Sequence, residues 1–104
     1  MAHHKLDDNT RQKLAQLLPE WRLCQNGKTL ERIFVFADFS SCFAFMTQIA
    51  MLAETLNHHP DWNNSYNRLT IHLTSHDLGD LSQRDVNMAQ KIDALFAKQT
   101  ADLP

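Results

Sequence analysis

Two adjacent histidines and a proline stand near the middle of the chain, where a long apolar segment ends. They are His58, His59 and Pro60 of the stretch ETLNHHPDW. A neutral histidine can give or take a proton near pH 7, and a positioned general acid or base contributes about 10²–10⁴-fold in rate. Because proline disfavours helical geometry in the residue before it, the backbone should leave a helix here and aim the two rings differently. A helix end that only complements the macrodipole is the alternative.

Three more ionisable side chains could complete an acid/base site with this pair. His76 ends a predicted strand and could approach the pair if that strand lies beside the segment after Pro60. Glu54 precedes His58 by four residues, so the two side chains can interact on a helix. Asp85 closes a motif, SQRD, that resembles a capping box, and its carboxylate could orient a histidine or a substrate N–H. The simpler alternatives are that His76 is a solvated strand end, that Glu54 is a solvated helix carboxylate and that Asp85 is a helix cap.

A zinc site and an aromatic pocket are two further kinds of site that these residues could form. Three histidines suggest zinc, but adjacent histidines seldom ligate one ion, and neither an H-E-x-x-H pattern nor a paired-cysteine motif is present. We therefore expect no metal. Trp62 and Tyr66 could form one wall of a flat pocket for an aromatic heterocycle, although half-buried aromatic residues in strands usually belong to the core. His72 is expected to be a strand residue without a role.

The composition indicates one soluble domain comprising residues 1–104. A net charge of −2 with scattered basic residues argues against binding to nucleic acid or to an anionic membrane. Only Cys24 and Cys42 are present, which favours reduced thiols in the cytoplasm. The N-terminus has no apolar signal segment, and the longest apolar run, residues 42–53, is too short to span a bilayer.

The elements around the candidate site can be predicted from periodicity and turn residues. Asp7 or Asp8 can cap a first helix that ends before Pro19. Strands at about 21–25 and 28–37 flank Asn26-Gly27, a strong signal for a type I′ hairpin turn. A second long strand is expected over 66–76, with a short strand over 62–65, and a last helix follows the turn at 77–80. The element order is α-β-β-α-(β)-β-α, which predicts an α+β fold with an antiparallel sheet covered by helices on one face.

The second helix, starting at Asp38 or Ser40 and continuing to about Asn57, is apolar around nearly its whole circumference. Such a helix must be covered on more than one side, and a chain this short offers one sheet. We therefore expect a homo-oligomer, a dimer or tetramer, formed through residues 40–57.

The spacing of the candidate residues resembles the signature of the pterin-4a-carbinolamine dehydratases. In order along the chain the signature consists of Glu54, His58-His59-Pro60, Tyr66, His76 and Asp85. The segments FADFSSCFAFMTQIA, HHPDW, SYNRLTIHLTSHD and LSQRDVNMA are similar to animal-type members. The resemblance covers essentially the whole chain.

This resemblance implies a four-stranded antiparallel sheet with three helices on one face, and a tetramer held partly by the long helix. It implies a metal-free dehydration of a 4a-hydroxytetrahydropterin to quinonoid dihydropterin, which serves aromatic amino acid hydroxylases. His58 and His76 would transfer protons, His59 would position the substrate, and Asp85 would orient the site. The implied substrate-binding positions are Glu54, Asn57, Pro60, Trp62 and Asp77.

Two of these positions depart from the pattern of animal members, because Asn57 replaces an Asp and Asp77 replaces a Glu. The resemblance also implies a protein partner. Animal members bind the dimerisation domain of a homeodomain transcription factor, hepatocyte nuclear factor one, through the same helix surface, so a nuclear location would accompany the cytoplasmic one.

Overall fold

Four helices and four strands make up residues 3–101, the part of the chain that the structure, a computed structural model, describes. The helices are α1 (Asp8–Gln12), α2 (Leu14–Leu17), α3 (Phe39–Leu56) and α4 (Gln83–Ala101). The strands are β1 (Arg22–Cys24), β2 (Thr29–Val35), β3 (Asp61–Ser65) and β4 (Arg68–Leu73). All neighbouring strands are antiparallel, in the order β1-β2-β4-β3. The predicted α+β class and four-stranded sheet are confirmed.

The first predicted helix is two short helices. Asp7 caps α1, since its carboxylate accepts a hydrogen bond from the Thr10 N–H at 2.7 Å. At Lys13 the backbone reaches φ −95° and ψ 0°, which interrupts the helix before α2 begins. The structure therefore has four helices where three were expected. Leu14 and Leu18 still bury their side chains in the core.

The β1–β2 hairpin forms where Asn26-Gly27 predicted it, but its ladder is shorter than a two-residue loop would give. Asn26 and Gly27 both have positive φ, 61° and 78°, as a type I′ turn requires. Gln25 also has positive φ, 51°, so it leaves the strand and the last ladder pair is Cys24 with Thr29. The hairpin therefore has a four-residue loop.

The centre of the sheet alternates buried and outward-facing residues as its period-two pattern predicts. Leu30 and Phe34 of β2 face the helices together with the apolar residues of β4, and these side chains are buried. The long predicted strand over 66–76 is shorter in the structure. Tyr66 instead occupies the two-residue turn between β3 and β4, with φ 54°.

Helix α3 crosses the inner face of the sheet. Asp38 caps it by accepting a hydrogen bond from the Ser41 N–H at 2.8 Å. One stripe is buried against the sheet and α4, and it consists of Cys42, Phe45, Ile49 and Ala53. The opposite stripe is apolar but exposed, with Phe39, Phe43 and Met51 at 45%, 53% and 69% exposure. This single chain thus leaves uncovered the face that the sequence predicted to need a cover.

Length and hydropathy alone would allow α3 to cross a membrane. Its 18 residues have a mean hydropathy of 1.2. The prediction that this segment is too short, made from residues 42–53, therefore underestimated the length of the apolar segment. A core helix of a soluble protein meets the same criterion, and the buried stripe of α3 lies against the sheet as it would in such a helix.

Helix α4 begins with the predicted capping arrangement. The Asp85 carboxylate accepts a hydrogen bond from the Ser82 N–H at 3.0 Å, and the Ser82 hydroxyl accepts one from the Arg84 N–H at 3.3 Å. Downstream, Val86, Ala89 and Ile92 pack into the core. The start of α4 is thereby fixed against the loop that follows β4.

Candidate active site

The end of α3 sets the direction of the first histidine. Asn57 adopts the left-handed conformation, with φ 52° and ψ 43°. The N–H of His58 donates to the carbonyl of Ala53 at 3.1 Å, and the N–H of Asn57 donates to the carbonyl of Glu54 at 3.3 Å. These two bonds form a Schellman motif. The chain therefore turns before Pro60, and the His58 side chain is buried, with 8% of the residue exposed.

The imidazole of His58 binds a buried carboxylate. Its Nε2 lies 2.6 Å from Oδ1 of Asp85. The other oxygen of Asp85 accepts hydrogen bonds from the Ser75 hydroxyl at 2.8 Å and from the Ser82 N–H at 3.0 Å. A buried carboxylate is costly unless it is hydrogen-bonded, and these bonds satisfy both of its oxygens. Asp85 was predicted to orient a histidine or a substrate N–H, and the histidine that it contacts is His58.

His59 lies on the solvent side of the same turn. Its Nε2 is 2.5 Å from Oε2 of Glu54, and both side chains are more than half exposed. The expected contact of Glu54 with His58, one helical turn later, is wrong. The left-handed residue Asn57 sends His58 inward, so the next ring along the chain comes to lie beside Glu54.

His76 pairs with a carboxylate that the sequence analysis did not include. Its Nε2 lies 2.8 Å from Oδ2 of Asp61, and both side chains are exposed. Asp61 directly follows Pro60 and opens β3, and β3 runs antiparallel to β4, which leads towards His76. Pairing of the two strands was expected, so the position of Asp61 at the start of β3 was the signal that could have identified it.

An open cleft of about 310 Å³ adjoins this region. Its lining includes Glu54, His59, Pro60 and Trp62, together with two alanines of α3. Four predicted site residues therefore share one concave surface. A larger groove of about 710 Å³ lies between α3 and α4, and none of the site residues lines it.

Three further residues from the sequence prediction, Asp77, Asn57 and Tyr66, do not line this cleft. The Asp77 carboxylate forms two hydrogen bonds with the Arg84 guanidinium, at 2.8 and 3.0 Å, and this pairing lowers the pKa of Asp77. Asn57 ends α3. Tyr66 lies in the turn after β3 and does not line the cleft, whereas Trp62 does.

The geometry thus gives each of the three site histidines its own carboxylate. A carboxylate that accepts the Nε2–H of an imidazole fixes the tautomer and leaves Nδ1 as the nitrogen that exchanges a proton with another molecule. The three pairs differ in burial: the His58–Asp85 pair is inside the protein, and the other two lie at the surface. Such a set can supply an acid and a base at once.

Comparisons with known proteins agree on one family. The sequence model of the family described as "Pterin 4 alpha carbinolamine dehydratase" matches residues 4–95. A protein of Synechococcus sp. (strain WH7803) named as a pterin-4-alpha-carbinolamine dehydratase is 51% identical over 90 residues, which cover 86% of this chain and 95% of that protein. A protein of Rhizorhabdus wittichii with the same name is 46% identical over 95 residues, covering 91% and 98%.

Solved structures are similar as well. A transcriptional coactivator/pterin dehydratase from Brucella melitensis superposes with a TM-score of 0.82 and 35% identity, covering 88% of this chain and 98% of that one. A pterin dehydratase-like protein identified as a RuBisCO assembly factor in the alpha-carboxysome gives a TM-score of 0.63 and 27% identity, covering 73% and 88%. The fold is therefore shared by proteins described with an enzymatic role and by proteins described with a protein-binding role.

Proposed function

Because the chain belongs to the pterin 4a-carbinolamine dehydratase family, a family of hydro-lyases, we propose that it removes water from 4a-hydroxytetrahydrobiopterin. The product is quinonoid dihydrobiopterin, and the reaction serves the recycling of tetrahydrobiopterin. The observation that carries the proposal is the set of three histidines, each hydrogen-bonded to a carboxylate, two of them after the end of α3 and one after β4.

The reaction requires one acid and one base. The C4a–O bond breaks, and the hydroxyl leaves as water after taking a proton from the acid. A ring N–H gives its proton to the base, and its electron pair forms the new C=N bond. No electrons are exchanged with a second reactant, so protonated and neutral imidazoles supply everything that the bond changes need.

We assign proton transfer to His58 and His76, with Asp85 and Asp61 holding their rings. His59 binds and positions the pterin together with Glu54. The flat ring of the substrate suits the cleft beside Trp62 and Pro60, because an aromatic side chain can stack on a heterocycle. Asn57 and Asp77 would contribute at the rim of the pocket.

The proposal is tested by following the disappearance of 4a-hydroxytetrahydrobiopterin by stopped-flow absorbance, with the intermediate generated in the assay. We expect the protein to accelerate its loss, with saturation in substrate, in a buffer that contains a metal chelator. A rate equal to the spontaneous rate at stoichiometric protein would contradict the proposal. Loss of the acceleration on chelation would indicate a metal-dependent dehydration in place of the histidine mechanism.

A second candidate function is a coactivator role. The exposed apolar stripe of α3 favours it, since it offers a helical surface to a helical partner, and the similar Brucella protein is described as a transcriptional coactivator. The candidate partner is the dimerisation domain of a homeodomain transcription factor. Binding of a synthetic peptide of that domain by the wild type and not by Phe43→Glu would support this role. No binding by the wild type would remove it.

A further inference from the structure

A second group of chemically distinctive side chains lies on the face of the sheet opposite the helices. Cys24 of β1, Glu31 of β2 and His72 of β4 each offer one ligand atom, and these atoms lie within 4.8 Å of one another. All three residues are partly buried. None of them belongs to the site at the end of α3.

The register of the sheet explains why the three meet. Glu31 is directly opposite His72 on β4 and opposite Arg22 on β1. Cys24 lies two residues beyond Arg22, so it is the diagonal neighbour of Glu31 on the same face, a position within reach of a longer side chain. Three adjacent strands therefore hold one ligand each on a hydrogen-bonded frame, which is the kind of support that a precise site needs.

We propose that Cys24, Glu31 and His72 form a binding site for a zinc ion on the open face of the sheet. A thiolate, an imidazole and a carboxylate are the three ligand types that zinc accepts, at about 2.0–2.3 Å, and a water completes the tetrahedron of an open site. Atoms no more than 4.8 Å apart need to move by about an ångström or less to surround such an ion. The thiolate makes magnesium or calcium a poor match, since these ions select oxygen ligands.

The charges of the group favour the binding of a cation. The Arg22 guanidinium and then the His72 ring lower the pKa of Glu31, which is therefore ionised at neutral pH. Burial and the Glu31 carboxylate raise the pKa of the Cys24 thiol. On binding, the thiol proton leaves to solvent and the sulfur takes the ion. Nε2 of His72, which lies 2.7 Å from Oε2 of Glu31 without the ion, gives up its proton while Nδ1 takes one from solvent, and the ring binds the ion through Nε2. No group is oxidised or reduced.

Arg22 is the natural competitor for this ion. Its guanidinium is hydrogen-bonded to Glu31 and 71% of its side chain is exposed, so it can move into solvent when a cation arrives. In the absence of the ion it neutralises the Glu31 carboxylate. Removing Arg22 should therefore strengthen cation binding, an effect that misfolding cannot imitate.

The experiment uses the full chain, freed of metal by a chelator, and titrates it with Co²⁺ as a spectroscopic substitute for Zn²⁺. We expect a thiolate-to-cobalt charge-transfer band that saturates at one ion per chain and disappears when zinc is added. Cys24→Ser should abolish the band, His72→Gln should weaken binding by at least about tenfold, and Arg22→Ala should tighten it a few-fold. Cys42→Ala, which changes the buried cysteine of α3, should keep the band.

Two further variants distinguish this site from other histidines that could bind the ion. His3→Ala combined with His4→Ala tests the histidines near the start of the chain, and His59→Ala tests the pterin site. Both variants should retain the cobalt–thiolate band. The proposal is overturned if the wild type gives no thiolate band, if Cys24→Ser binds as the wild type does, or if binding is lost only with the N-terminal histidines.

Discussion

The three histidines of the candidate site share a residue type and differ in their surroundings. His58 is buried and binds a buried carboxylate, whereas His59 and His76 pair with exposed carboxylates at the surface. A charge pair inside the protein interacts more strongly than one exposed to water and salt. The same side chain can therefore take different roles in one protein, which is how enzymes obtain an acid and a base from similar groups.

Asp61 is the residue whose role can be tested most cleanly. Asp61→Asn keeps the size of the side chain and removes the charge beside His76. We expect kcat for dehydration to fall by about tenfold with little change in KM.

The matched control for this change is Asn63→Ala, on the same strand and the same face, which should leave kcat as in the wild type. An Asp61→Asn enzyme with the kcat of the wild type would show that Asp61 does not act through His76.

At this scale the sequence indicated candidate residues but not how all of them pair. The histidines, Asp85 and Glu54 could be named from residue type and spacing. The partner of Glu54 could not, because it depends on a single left-handed residue at the end of α3. Asp61 was missed for a related reason, since its contact with His76 joins two strands that only the folded sheet brings together.

The end of α3 and the start of α4 position residues of the candidate site. The Schellman motif at Asn57 directs His58 inward, and the capping arrangement at Ser82 holds Asp85 where it meets His58. Two local signals, a turn before Pro60 and a cap at the start of α4, therefore position the buried pair. The sequence predicted both ends. It could not predict the break at Lys13, because no glycine or proline near this residue signals a helix end.

Asn57 can be tested as a backbone residue. Its φ of 52° costs an ordinary residue about 1–2 kcal/mol, a cost that glycine avoids. Asn57→Ala should therefore lower the free energy of unfolding by about 1 kcal/mol in urea denaturation, and Asn57→Gly should not. Equal losses in the two variants would show that the side chain contributes more than its backbone conformation.

Asp38 gives α3 a pH-dependent cap. The hydrogen bond from the Ser41 backbone lowers the pKa of this carboxyl from 3.8. The stabilisation is complete above the unfolded value of 3.8 and is lost as the pH falls through the lower folded value. Asp38→Ala should therefore have a lower Tm than the wild type at pH 7, and the difference should vanish in acid. A difference that persists at pH 2 would contradict this assignment.

At the scale of the whole molecule, an apolar surface of α3 stays exposed in the single chain. Helix α3 uses one stripe for its own core and exposes Phe39, Phe43 and Met51. A domain of this size buries a modest fraction of its surface, so association adds burial that the fold lacks. We propose that this stripe joins copies of the chain into a homo-oligomer. The sequence predicted that copies of the chain cover this helix, because α3 is apolar all round, and the homo-oligomer stays a prediction.

Phe43→Glu tests the homo-oligomer. A charge in the middle of the exposed stripe should separate the copies, because an unpaired charge in an apolar interface is costly. Sedimentation velocity at micromolar concentration should show the wild type as a dimer or tetramer and the variant as a smaller species. Leu17→Glu, on the exposed side of α2, is the control and should assemble as the wild type does. A monomeric wild type would contradict the proposal.

The central claim is that His58 and His76 carry protons during the dehydration of the pterin. The most direct measurement is the rate of loss of 4a-hydroxytetrahydrobiopterin with His58→Ala, His76→Ala and, as a control, His72→Ala, which changes a histidine whose ring binds Glu31 and not a carboxylate of the site. The account predicts a fall of about 10²–10⁴-fold in kcat for the first two variants and a rate near that of the wild type for the third. Wild-type turnover in both His58→Ala and His76→Ala would contradict it.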